Sequence, residues 1–183
     1  MHSPPHQHLL TLLARHTPAD GNEAAMLAET IRFVEAHDRA FDPAFPPGHI
    51  TGSAWIVSGD AVLLTHHRKL DKWFQLGGHL EPGETAADGA LREAREESGL
   101  AHVEGPLADG CVFDVDVHLI PARGEMPAHY HYDVRFLFSA DAAAPLVISA
   151  ESHTLAWVPL VAAARYNDSE SILRMVRKTQ AKN

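Results

Sequence analysis

The stretch Gly77–Leu100, GGHLEPGETAADGALREAREESGL, decides how the rest of the chain is read. Glu93, Glu96 and Glu97 crowd into little more than one helical turn. Residues three and four apart are neighbours on a helix, and like charges at that spacing cost about 0.2–0.5 kcal/mol per pair. Helix propensity does not explain that cost, so something cationic is expected to offset it. Thr85 and Asp88 have the spacing of a capping box, and Gly99 stands where a C′ glycine ends a helix. At a helical advance of about 100° per residue, Ala87, Ala90, Leu91, Ala94 and Ser98 gather on one face. The glutamates lie about 130° round from that face by the same count. The helix is therefore expected to bury a stripe of small residues against a sheet and hold its carboxylates toward a cleft. Gly89 sits mid-helix at a cost of about 1 kcal/mol relative to alanine, and the sequence offers no reason for it.

Oxygen-only donors arranged as a carboxylate cluster suit a hard divalent cation, Mg²⁺ or Mn²⁺. Such ions bind through a few carboxylates plus water and phosphate oxygens, and generate a hydroxide nucleophile at neutral pH. The preceding loop, LGGHLEPGE (Leu76–Glu84), carries glycines that let backbone approach a metal or phosphates closely. The expected chemistry is metal-assisted attack of water on a phosphoanhydride.

The rest of the chain sets the frame. Its 183 residues, 45% hydrophobic, suit one domain with an appended helical segment. It contains no long apolar run of the kind a membrane-spanning helix needs, and its N-terminus lacks the basic region and cleavage site of a signal peptide. The single cysteine, Cys111, excludes an intramolecular disulfide, fits a reducing cytoplasm and reads as a small buried strand residue. A net charge of −9 gives no basic face for nucleic acid, but an acidic protein handles phosphates when a divalent cation stands between.

Leu9, Leu10, Leu12 and Leu13 predict a first helix, broken at Thr17-Pro18. Asp20 or Asn22 caps a second, with Met26, Leu27, Ile31 and Val34 at helical spacing. The prolines of DPAFPPGH (Asp42–His49) interrupt regular structure. SAWIVSGDAVLLTHH reads as two strands turning at Gly59-Asp60, and CVFDVDVHLI and HYHYDVRFLF alternate as strands. His153–Leu160 reads as a last strand and Asp168–Lys178 as a helix with Ile172, Leu173 and Val176 inward. The expected class is α/β, a mixed sheet covered by helices.

The stretch resembles the Nudix box, G-x5-E-x7-R-E-U-x-E-E-x-G-U, where U is a bulky aliphatic residue. Gly78, Glu84, Arg92, Glu93, Glu96, Glu97, Gly99 and Leu100 match it, with Ala94 as a smaller residue at the first U. At ordinary residue frequencies the fixed positions coincide by chance roughly once in 10⁸ to 10⁹ trials. The resemblance implies an α/β/α sandwich over residues 46–183, with residues 1–45 as a helical extension. It also implies Mg²⁺- or Mn²⁺-dependent hydrolysis of a nucleoside diphosphate linked to another moiety. By position, Glu93, Glu96, Glu97 and the Gly78 carbonyl are metal ligands, Glu84 supports the metal shell, and Arg92 orients a box glutamate. Glu93 and Glu96 are thereby candidates for orienting or deprotonating the attacking water. A Nudix-fold sensor that binds nucleotide without turnover is the alternative. Its weakness is that a sensor need not keep every box carboxylate.

Substrate is less legible. Val115, Asp116, Val117 and His118 stand where relatives acting on ADP-ribose or diadenosine polyphosphates carry a proline or a tyrosine, and the coenzyme A signature is missing. His66, His67, Arg68 and Lys69 precede the box loop, where Arg68 and Lys69 are candidates to meet phosphates. Asp114, Asp116 and His118 share one strand face by period two, as do His129, His131 and Asp133. These rows are expected to form a substrate wall, with His118, His131 and Asp133 as contacts, or an auxiliary metal site. Glu125, in the link between them, is a candidate downstream base, and Glu151 a second. Trp73, before the loop, is expected to pack or to stack on a base. The N-terminal helices are expected to cap the sheet or mediate a homodimer.

Overall fold

The computed structural model describes residues 3–108, 110–124 and 126–182. Two helices come first, α1 (Pro4–Arg15) and α2 (Gly21–Ala36), the second capped by Asp20, whose side chain accepts from the Glu23 N–H. The strands β1 (Gly48–Ser58), β2 (Ala61–His67), β3 (Lys72–Phe74) and β4 (Leu76–His79) lead into α3 (Ala86–Ser98). Then follow β5 (Asp114–Ile120), β6 (His129–Ser139), β7 (Ser152–Pro159), a 3-10 turn (Leu160–Arg165) and α4 (Glu170–Gln180).

The strands form a mixed sheet ordered β3-β2-β1-β6-β5, with β4 also on β1 and β7 also on β2. β1 is the organising strand. It runs parallel to β6 from Gly48↔Tyr130 to Val57↔Ser139, while its other edge is shared antiparallel between β4 and β2. Period-two alternation then sends successive side chains into different layers. Ile50, Ala54 and Ile56 join Val134, Phe136 and Phe138 in a core under α1, α2 and α3. Trp55, Val62, Leu64 and Leu137 join Ile172, Met175 and Val176 of α4 on the opposite face. The expected helix–sheet–helix layering is the observed one. Among the described residues, no helix is long and apolar enough to cross a membrane.

The two N-terminal helices are fastened to this sheet. Leu9, Leu13 and Val34 are fully buried in the core shared with β1 and β6, and Phe33 stacks on Tyr132 at 4.0 Å. Each such burial contributes about 1.5–3 kcal/mol. A polar fastener completes the seam. Buried Glu23 accepts from His16 (2.8 Å), from the Ala19 N–H (2.6 Å) and from Lys178 of α4. Burial pushes the Glu23 carboxyl up, but the bonds from His16, Ala19 and Lys178 outweigh it and hold it at about 2 against an ordinary 4.5. A depressed carboxylate contributes stability that is present above its unfolded value and lost as pH falls through the folded one. Glu23→Gln is therefore expected to cost roughly 3 kcal/mol at neutral pH. The deficit against wild type should shrink between about pH 4.5 and pH 2. Urea unfolding of both proteins across that range checks it, and a constant deficit would contradict the linkage.

Two glycines make room for α3. A Cβ on Gly52 of β1 would lie 2.5 Å from the Ala86 carbonyl oxygen, and one on Gly89 would lie 2.3 Å from Leu80 Cδ2. Gly89, unexplained in the sequence, is where Leu80 folds over the helix. Gly52→Ala should push α3 off the sheet and lower stability by about 1–3 kcal/mol, measurable as a reduced urea midpoint.

Cys111 departs from expectation. It is half-buried in irregular chain before β5, its N–H closing a turn on the Ala108 carbonyl (3.1 Å). The strand begins only at Asp114, where Asp114↔Arg135 opens the ladder with β6.

Candidate active site

Helix α3 starts as its sequence predicts. Thr85 accepts from the Asp88 N–H (3.2 Å) and donates to the Asp88 carboxylate (2.7 Å), and Gly99 closes the helix at φ 70°. The buried stripe is Ala86, Gly89, Ala90, Ala94, Glu97 and Ser98. Glu97 thus lies on the sheet-facing side, so the three carboxylates do not share one outward environment as their spacing suggested. The Glu96 side chain is 61% exposed, that of Glu93 only 19%, and Glu97 is buried.

Arg92 is the cation that the charge surplus called for. Its Nε and one terminal nitrogen donate to both oxygens of Glu84 (2.9 and 3.1 Å), the other to Glu93 (2.9 Å) and Glu96 (3.1 Å). It also donates to the His79 carbonyl (2.9 Å), which ties the box loop to the helix. Its guanidinium is held in the charged form, chiefly by Glu84. The same fork, with the Glu81 N–H, lowers the Glu84 carboxyl below its usual value.

Glu97 escapes this compensation. Among the described residues its only hydrogen bond is from the Gly77 N–H, at 3.3 Å. Burial pushes its carboxyl up to about 8, with Glu93, Glu151 and Glu96 adding like charge against that one bond. Burial also raises Glu93, Arg92 opposing it and Glu96 and Glu151 reinforcing it. Gly78 lies against Glu93, whose Oε1 would be 2.7 Å from a Cβ there. An all-oxygen donor set with an under-compensated buried carboxylate fits a hard divalent cation.

Glu151, in the turn before β7, adds its negative charge to the field at Glu93 and Glu97. Its carbonyl accepts the Arg68 N–H (2.8 Å), and the Arg68 guanidinium donates to the Ser152 carbonyl (2.9 Å). Arg68 and Lys69 are both exposed in the turn between β2 and β3. Glu125 lies outside the described residues. Trp73 packs between His66, stacked at 5.0 Å, and Tyr166, edge-on at 5.0 Å.

The polar rows meet face to face, because the register pairs Asp114 with Arg135, Asp116 with Asp133 and His118 with His131. Much of this is internal structure. Asp133 is buried and accepts from Thr51 (2.9 Å), Ser53 (2.8 Å), Gln75 (3.2 Å) and Arg135 (2.7 Å). Asp114, with no exposure, accepts from Arg135 (3.1 Å), Arg174 (2.8 and 2.9 Å) and Lys178 (3.0 Å). Burial works to raise the Asp116 carboxyl, but the bond from His118 and the charges of Arg135 and Arg174 hold it well below the carboxylate range. His118 and His131 are left at the accessible end, His118 partly exposed and His131 with Nε2 unpartnered.

A family model described as NUDIX domain matches residues 48–178. The chain belongs to the NUDIX family. No curated protein matches the sequence. Among solved structures, this NUDIX chain is similar to the C. elegans Ap4A hydrolase binary complex, with 20% identity, 73% of this chain and 96% of that one covered, and a TM-score of 0.58. It is also similar to the E. coli dihydroneopterin triphosphate pyrophosphohydrolase, at 19% identity, 73% and 96% coverage and TM-score 0.55. The MutT protein from Methanosarcina mazei Go1 follows, at 20% identity, 75% and 96% coverage and TM-score 0.51. At such identities the likeness is one of fold. The family match together with a complete box makes the chain a Nudix-type pyrophosphohydrolase, a hydrolase acting on acid anhydrides.

Sequence reasoning missed Gln75, Arg135, Arg174 and Lys178, which hold the polar rows, and His49 and His79, which adjoin them. His79 stands inside the quoted stretch and invited inspection. The others come together through the parallel pairing of β1 with β6 and the return of α4, which no local pattern announces.

Proposed function

We propose that the protein cleaves the phosphoanhydride of a nucleoside diphosphate linked to another moiety, with Mg²⁺ or Mn²⁺, by attack of water on phosphorus. One observation carries this reading: a single arginine restrains Glu84, Glu93 and Glu96, while Glu97 stays buried with one weak hydrogen bond. Glu93, Glu96, Glu97 and the Gly78 carbonyl would hold the ion, with Glu84 supporting them through Arg92. When bound, the ion supplies charge neutralisation at the phosphates and an acidified water. Arg92 would hold Glu84, Glu93 and Glu96 in one orientation. The proton of the attacking water would pass to a downstream acid, Glu125 by the sequence reading or Glu151, whose charge reaches Glu93 and Glu97. Arg68 and Lys69 on one side, and His118 and His131 on the other, flank the leaving moiety, with Asp133 bracing that wall from beneath.

A release screen tests the reading. Phosphate and pyrophosphate are followed over nucleoside diphosphate sugars, dinucleoside polyphosphates including Ap4A, nucleoside triphosphates and dihydroneopterin triphosphate, with Mg²⁺ and Mn²⁺ compared. Metal-dependent product from one class is expected. Saturable binding across the panel with no product would overturn hydrolysis in favour of a sensor.

A further inference from the structure

At the His118–His131 end of the polar rows, three largely buried imidazoles converge. His49, the second residue of β1, pairs in parallel register with His131 of β6, while His129 begins β6. One ring nitrogen of each lies within 4.8 Å of the others. His49 is 1% exposed, and among the described residues neither of its ring nitrogens has a hydrogen-bond partner. Nε2 of His131 is also buried and has no hydrogen-bond partner among the described residues. Leaving buried polar atoms unpaired costs about 1–3 kcal/mol each, so their number here calls for a partner of another kind. His129 is oriented as a ligand would be. Its Nδ1–H donates to the Pro127 carbonyl (2.9 Å), which leaves the Nε2 lone pair free. A backbone carbonyl in that position is the usual way a metal-binding imidazole is held in one tautomer. Two further rings stand close, His79 at 4.9 Å from His49 and His118 at 5.5 Å from His131.

We propose that His49, His129 and His131 form a transition-metal site, with Zn²⁺ the best-fitting ion, distinct from the oxygen-donor site on α3. Nitrogen donors favour zinc and its neighbours over Mg²⁺, whereas the box carboxylates have the opposite preference. At Zn–N distances of ~2.0–2.1 Å, tetrahedral donors stand about 3.4 Å apart. Binding would draw the three nitrogens, now within 4.8 Å of one another, in to that spacing. The fourth position falls to His79 or to water, which places the ion on the sheet face adjoining the box loop. The assignment stands on these rings alone and does not depend on the hydrolysis proposed above.

Chelator-stripped full-length protein titrated with Co²⁺ in a large excess of Mg²⁺ tests the site. One Co²⁺ per chain is expected, with the visible ligand-field absorption of a four- or five-coordinate nitrogen-rich centre, displaced by Zn²⁺ and not by Mg²⁺. His49→Gln and His131→Gln should each weaken binding by more than about tenfold, while Glu93→Gln/Glu97→Gln leaves the spectrum intact. No binding under Mg²⁺ excess overturns the proposal. So does binding indifferent to the histidine substitutions or lost with the glutamates. Because a variant at a buried histidine could fail to fold, imidazole nitrogen NMR of the wild type provides an independent reading. Zn²⁺ should shift the ring nitrogens of these histidines; shifts confined to the carboxyl carbons of the box glutamates would overturn the site.

Discussion

Glu97→Gln is expected to leave a folded protein whose metal-dependent turnover is lower by a factor on the order of 10²–10³. The amide keeps the shape of the carboxyl group and removes the anionic oxygen donor that a bound cation would draw out of it. In the metal-free chain this costs little, because among the described residues the buried carboxyl group has a single hydrogen bond, from the Gly77 N–H, and like charges around it. Removing a carboxyl group whose ionisation burial disfavours should leave the melting temperature in chelator unchanged or higher. The metal-bound state is where the loss falls, since a ligand that binds the native state alone raises stability by mass action. Wild type should therefore melt higher in Mg²⁺ than in chelator, and Glu97→Gln should lose most of that increment together with its activity. Full turnover in the variant would remove Glu97 from the metal shell. Loss of fold without metal would make it a structural residue instead.

Asp114→Asn should have the largest effect on stability, about 3–5 kcal/mol by urea unfolding at neutral pH. Asp114 is the hub of the face under α4, taking bonds from Arg135, Arg174 and Lys178 with no solvent to share the load. Neutralising it leaves those cations facing one another, with Asp133, Asp116 and Glu23 as their remaining counter-charges. The physical distinction lies between removing one partner and removing a pair. Asp114→Leu/Arg174→Met replaces a charge pair by apolar groups, so it should recover part of the loss. A single-mutant cost below about 1 kcal/mol would mean that solvent reaches these groups, contrary to their burial.

The carboxylate helix could be read in advance because its information is local. Capping at Thr85, the terminating Gly99 and the spacing of Glu93, Glu96 and Glu97 all act within a few turns of one segment. Arg92 is close enough in sequence to be recognised as the balancing cation, and the hairpin at Gly59 announces itself in the same way. The environment of each glutamate was not readable. Whether Glu97 faces solvent or the sheet depends on how α3 is rotated against β1, and that is set by Gly52 and Leu80 in other elements.

The alternating Asp and His rows show the same division more sharply. Period two placed Asp114, Asp116 and His118 on one face, and residues His129, His131 and Asp133 on one face, and both placements hold. Their meaning changed with the partners that folding delivered. Arg135 and Arg174 convert the aspartates into an internal ion-pair network, while the parallel approach of β1 brings His49 beside His131 and His129. Covalent neighbours govern helix caps, turns and the order of charges, because those interactions reach only a few residues. Burial, the pairing of distant charges and the convergence of ring nitrogens arise when strands far apart in the chain become adjacent. For this protein the reaction class was therefore written in one segment, whereas the under-compensated Glu97 and the histidine cluster exist only once the sheet has closed.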